Sequence, residues 1–153
     1  ACGCGRGRGG RGRGRERGRR AFGHEHQGDR EPPAVTAEEL PPFVPLSSRD
    51  LERQVCSDAG QGCRGIVAYF DALHYRILYR DSLNLDEPFD HSFLLHEIVH
   101  VLQHRQVGNA MYEDCHALLR TEAQAYRAQN TYLRANDQLA YVGTRLNQAS
   151  CTQ

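Results

Sequence analysis

The sequence predicts a small α+β domain, and three observations carry that reading. Two short runs rich in β-branched and aromatic residues, GIVAYF (65–70) and HYRILYR (74–80), read as a β-hairpin. Three segments with helical patterning follow them, and one short helix precedes them. There is no internal repeat, and 153 residues leave room for one domain and a tail, which excludes a second catalytic domain.

The elements follow from local chemistry. Residues 1–20 are almost entirely Gly and Arg, with eight arginines against one glutamate; the other 133 residues hold eleven arginines and eighteen acids, and there is no lysine. The neutral formal total therefore conceals a basic segment and an acidic body. Such a Gly/Arg segment builds no core, and with the proline-punctuated stretch after it we expect a disordered tail over 1–40 and a folded body over 41–153. A solvated polar tail, an extension from arginine-rich coding and an arm that holds nucleic-acid phosphates all fit residues 1–20. No aromatic is interleaved with the arginines there, which argues against the last. His24-Glu25-His26 lies in the same polar stretch and reads as solvated side chains.

Ser47 and Ser48 can cap a helix to about Val55, with Asp50 near its positive end. The hairpin comes next, its second strand running into an Asp-rich loop that ends at Pro88. Asp90 is positioned to cap a helix to about Gln106, for which Gly108 is the stop signal. Further helices are expected over 114–135 and 137–148.

No stretch of about 18 apolar residues exists, so a spanning helix is not expected. The chain begins with Ala and shows no apolar leader, consistent with processing, trimming or an incomplete reading. Of the six cysteines, none shows zinc-ribbon spacing. Cys56 with Cys63 and Cys115 with Cys151 read as two disulfides, implying a secreted or periplasmic location; buried free thiols are the alternative.

The chemistry concentrates in His96-Glu97-Ile98-Val99-His100, an H-E-x-x-H pattern inside a predicted helix. With eight histidines and ten glutamates in the chain, chance would supply about 0.03 such matches. A helical wheel groups His96, Glu97, His100, Gln103 and His104 on one side. Leu94, Leu95, Ile98, Val99, Val101 and Leu102 lie opposite, so an apolar face is expected in the core and the two histidines in a cleft. Imidazoles at i and i+4 can converge on one tetrahedral zinc, and Glu97 can reach a zinc-bound water without being a ligand. A third ligand is needed. His104 would sit about 12 Å along the axis from His96, too far for the same ion. His116, Glu113 and Asp114 fall near the start of the next helix. Glu122 is better placed: Arg120, Gln124, Arg127, Thr131 and Arg134 make an outward face, whereas Glu122 shares the inward one with Cys115, Leu118, Tyr126, Gln129 and Leu133. A carboxylate turned inward needs a partner, which a metal on the preceding helix would supply.

On these residues the chain resembles zincin metallopeptidases of the gluzincin type, with H-E-x-x-H on one helix and a ligating glutamate on a later one. The LLHEIVHVLQ and TEAQAYRAQNTYL stretches also resemble an uncharacterised bacterial family of small HExxH proteins, over about residues 50–151. The resemblance implies a zincin-like domain with His96, His100 and Glu122 as zinc ligands and Glu97 as general base in peptide-bond hydrolysis. It also implies that strand 74–80 lines the cleft rim and holds an extended peptide substrate. Thermolysin-like members carry an Asp four residues after the ligating Glu, to orient a histidine; here that position is Tyr126, so this support must come from elsewhere. Tyr126 is a candidate to steady an oxyanion, with packing against the active-site helix as the other reading. The expected function is zinc-dependent peptide hydrolysis. The alternative is a non-hydrolytic, zinc-stabilised binding protein, with nucleic acid bound, if at all, through residues 1–20.

Overall fold

The structure is a computed structural model, and it describes residues 39–56, 65–148 and 151. Residues 1–38 of the expected tail, which include His24-Glu25-His26, and Cys63 lie outside the described residues; Glu39, inside them, pairs with Arg105. Within them the order is β1 (Phe43–Leu46), α1 (Ser48–Val55), β2 (Ala68–Asp71), β3 (Arg76–Arg80), α2 (Pro88–Val107), a 3-10 helix (Gly108–Tyr112), α3 (Cys115–Ala135) and a last 3-10 helix (Thr144–Gln148). The domain is α+β, as the patterning required.

The three strands form one sheet in the order β1-β3-β2. β2 and β3 are the expected antiparallel hairpin, with Tyr69 opposite Leu78 and Phe70 opposite Ile77. β1 was not foreseen. It pairs parallel with β3, Phe43 opposite Ile77, and contains Pro45, a residue that argues against a strand except at a sheet edge, where β1 lies. The strand expected at the cleft rim, 74–80, is therefore corrected to the sheet centre, since β3 is paired on both sides.

Local signals account for most helix ends. Ser47 caps α1, its Oγ accepting from the Asp50 N–H at 3.2 Å. Asp114 caps α3 by accepting from the Ala117 N–H at 2.7 Å. α2 begins at Pro88, where the missing N–H costs nothing, rather than at an Asp90 cap; the Asp90 carboxylate instead accepts from the Asn84 N–H and closes the preceding loop. Gly108, at φ +59°, ends α2 as expected.

The helix expected over 137–148 does not form, apart from the 3-10 turn at its end. Cys115 and Cys151 are disulfide-bonded, Cα atoms 5.8 Å apart, so the chain after α3 must return along roughly 30 Å of helix. Residues 138–143 take no regular structure, and Asn130 holds them, its side chain accepting from the Val142 N–H at 2.9 Å and donating to the Val142 C=O at 3.0 Å.

The apolar core lies between the sheet and α2. Phe70 and Ile77 from the hairpin pack on Leu94 and Val101, with Ile98 and Tyr79 at the margin. Among the described residues no helix is long and apolar enough to cross a membrane.

Candidate metal centre

α2 lies against both the sheet and α3, and its second contact is polar. Ser92, His96, His100 and Gln103 recur at helical spacing along one stripe and are all buried. The antiparallel reading of α3 sets Gln129, Tyr126, Glu122 and Thr121 against them in turn. The wheel expectation is corrected on its apolar side, where Leu95, Val99 and Leu102 are only half-buried, while His96, Glu97, His100 and Gln103 are under 10 % exposed. The helix buries its polar stripe beneath α3 as fully as its apolar stripe beneath the sheet.

Three donors converge there. His96 Nε2 lies 3.3 Å from one Glu122 carboxylate oxygen, His100 Nε2 lies 3.4 Å from the other, and the two Nε2 atoms are 3.1 Å apart. Metal–donor bonds of about 2.0–2.1 Å put neighbouring corners of a tetrahedron about 3.3–3.4 Å apart, which is close to the spacing of these donors. The His96, His100 and Glu122 group could hold a metal ion. Burial would raise the Glu122 carboxyl, but the two histidines beside it hold it down, at about 2. Burial likewise opposes, and Glu122 and Glu97 overcome, so that the His100 imidazole is raised.

The rejected third ligands stay out of this group. The His104 ring packs edge-on to Phe70, with centroids 5.7 Å apart, and His116 is exposed on α3. Glu113 and Asp114 line a different cavity of about 400 Å³ beyond Gln103. That cavity is larger than the one over the triad but contains none of its donors, so donor chemistry rather than size identifies the site.

Glu97 points toward the hairpin. Its Oε2 accepts from the Phe70 N–H at 2.8 Å, and burial pushes the carboxyl above its usual range. A cleft of about 300 Å³ brings Glu97 together with His96, His100, Glu122 and Tyr126, and also with Ala68, Tyr69 and Tyr112. Because the Phe70 N–H faces away from β3 while the Val67 C=O accepts from Arg80 within the sheet, alternation turns the N–H and C=O of Ala68 to the outer edge of β2. β2, the hairpin's first strand, is thus the free edge beside the cleft.

Tyr126 packs edge-to-face on His96, centroids 4.6 Å apart, and lines the cleft as well. Both roles considered for it are sterically open. Tyr112 was missed. It sits in the 3-10 helix beyond the Gly108 stop, where no periodicity singles it out, and burial together with Tyr69, Glu97 and Glu122 pushes its hydroxyl up to about 12.

Each ligand ring is also held from behind. His96 Nδ1 is 3.1 Å from Gln129 Oε1, and His100 Nδ1 is 2.8 Å from Gln103 Oε1. Gln103 shared the histidines' side of the wheel, but its partners lie on α3, 18 and 21 positions along the chain, beyond what spacing within one helix can reveal.

No curated protein and no solved structure matches the chain at a significant level. A family model does match, over residues 27–152, a span that includes the strands, the helices, the donor triad and both half-cystines of the 115–151 bridge. The chain belongs to that family, described as Domain of unknown function (DUF6647).

Proposed function

We propose that this chain is a zinc-dependent metallopeptidase acting on peptide or protein substrates outside the cytoplasm. The observation that carries the reading is a buried two-histidine, one-carboxylate donor set that shares a cleft with Glu97. A bound zinc would supply Lewis acidity, polarising a carbonyl and acidifying water. The chain's own residues do the rest. The Phe70 N–H engages Glu97 Oε2, which orients the carboxylate and leaves Oε1 to take a proton from the attacking water and return it to the leaving amine. Burial, which raises this carboxyl, suits it to both steps near neutral pH. Tyr112, pushed up to about 12, and Tyr126, also raised by burial, keep their protons at neutral pH and serve as O–H donors to charge developing on the carbonyl oxygen. The outer edge of β2 offers Ala68 main-chain groups to an extended peptide. The Cys115–Cys151 bridge supports a secreted or periplasmic location.

The test has two stages. Purified chain should hold one zinc, which Glu122→Gln loses and Glu113→Ala keeps. A broad peptide library should then be cleaved by the wild type, and roughly 10²–10⁴-fold more slowly by Glu97→Gln with zinc retained. A zinc-loaded wild type that cleaves nothing, or equal cleavage by Glu97→Gln, sinks the hydrolytic reading.

A further inference from the structure

Both ligand rings are backed by glutamine amides, and each amide has its orientation fixed by a group that can act in only one way. At the His96 end the chain of bonds terminates on the Phe89 carbonyl. A carbonyl only accepts, so the Ser92 hydroxyl, 2.6 Å away, must donate to it. Ser92 Oγ then presents a lone pair to Gln129 Nε2 at 2.9 Å, which sets the Gln129 amide with Oε1 toward His96 Nδ1. That oxygen can only accept, so His96 Nδ1 must carry hydrogen. Turning the amide over would set Oε1 against an oxygen whose proton is already committed. Ser92 is 0 % and Gln129 1 % exposed, so no bulk water can repair the mismatch.

The His100 end terminates on a second carbonyl. Gln103 Nε2 donates to the Thr121 C=O at 3.0 Å and to Gln124 Oε1 at 2.8 Å, so Gln103 Oε1 is the atom that faces His100 Nδ1. Nδ1 must again carry hydrogen. Two independent chains of bonds, one ending on α2 and one on α3, impose the same proton position on both imidazoles.

We infer that Ser92, Gln129 and Gln103 are positioning residues that fix His96 and His100 as Nδ1–H tautomers, so that both Nε2 lone pairs are bared toward Glu122 before any metal arrives. The inference rests on the metal-site reading above and deepens it. Two bare nitrogens 3.1 Å apart repel each other, and a cation between them removes that repulsion. The amides thus preorganise the site, and they do so without charge. A carboxylate behind either ring would add a negative charge that the neutral amide does not. Support for the ligand histidines, which position 126 does not supply by hydrogen bonding, comes from positions 103 and 129.

The experiment is long-range 1H–15N correlation on the histidine rings, combined with zinc affinity measured by chelator competition. In zinc-free wild type, at a pH where both rings are neutral, His96 and His100 should show the Nδ1–H pattern, and zinc addition should move only the Nε2 resonances. Gln129→Met, which keeps length but removes the acceptor, should weaken zinc by roughly 10–100-fold. Gln129→Glu should restore the affinity. Ser92→Ala frees the amide to turn, so His96 should become a tautomer mixture while His100 stays Nδ1–H, an effect that general loosening of the fold does not produce. Nε2–H on either ring of the zinc-free wild type overturns the inference, as does unchanged zinc affinity in Gln129→Met. The wild-type spectrum needs no variant to fold. Because the tautomers are read without metal or substrate, an Nδ1–H pattern in a chain that cleaves nothing supports this inference while the hydrolytic reading fails.

Discussion

The two faces of α2 are buried to a similar degree and built from opposite chemistry. Toward the sheet, Leu94 and Val101 meet Phe70 and Ile77, a contact that is non-directional and tolerant of volume-conserving change. Toward α3, Ser92, His96, His100 and Gln103 meet Gln129, Glu122 and Thr121, and the amide contacts each specify a donor and an acceptor. The first face supplies the driving force for folding. The second contributes little net stability, because buried polar groups trade water for one another nearly evenly, but it specifies a unique arrangement of its groups. Stability and site geometry are therefore expected to separate across one helix.

The strongest attempt to break that separation is Ile77→Ala in the central strand, on the sheet side. Removing a fully buried isoleucine should cost about 2–5 kcal/mol in urea unfolding. Zinc affinity of the folded fraction should stay within a few-fold of wild type. A loss of affinity in proportion to stability would mean that the faces are not independent.

Next in size is the disulfide. A polar seam holds α3 weakly on its own, so closing a loop with a sequence separation of 36 should contribute about 2–4 kcal/mol. Changing Cys115 and Cys151 to Ser should lower amide-exchange protection in α3 and the return segment while β2 and β3 keep theirs. Uniform loss across the domain would show that α3 and the sheet unfold as one unit.

The same contrast explains what could be read in the sequence. The hairpin, α1 and α3 carry patterning and capping residues that operate within a few positions, as do His96, Glu97 and His100, one turn apart. Glu122 was legible because an acid on an inward face demands a partner. The wheel overstated the apolar face of α2, because polarity alone does not tell which apolar residues the sheet covers, and Leu95, Val99 and Leu102 are only half-buried. β1 was hidden by Pro45, since only the sheet order shows that this strand is an edge. Gln129 and Ser92 meet across 37 positions, and nothing local to either marks them. The helix expected over 137–148 failed where Asn130 binds both main-chain groups of Val142, a contact across 12 positions that local patterning does not carry.

A third variant probes the link from the return segment to the seam. Gly143 has φ +80°, and a Cβ there would run into the Tyr126 ring, which packs on His96. Gly143→Ala should therefore cost about 1–3 kcal/mol and also reduce zinc affinity, through Tyr126. Gly108→Ala is the control, because its φ is also positive but its Cβ would meet open space. Equal effects of the two on zinc would remove Tyr126 from the path.

The smallest expected effect belongs to the sheet side and is electrostatic. Burial would raise the Asp71 carboxyl, but bonds from Arg76 Nε at 2.9 Å, His74 Nδ1 at 2.8 Å and the His74 N–H at 3.2 Å hold it below its ordinary value. A carboxyl depressed in the folded state stabilises the fold above its unfolded pKa of about 3.9, and that contribution is lost as pH falls through the folded value. Asp71→Asn should remove about 0.2–1 kcal/mol at pH 6 and progressively less as the pH falls through the folded value. Comparing the pH dependence of wild type and variant in zinc-free protein cancels the titration of the seam, which both share. If the two chains lose stability in parallel from pH 6 to pH 3, the hairpin charges contribute nothing, and the sheet side owes its stability to apolar contact and strand pairing.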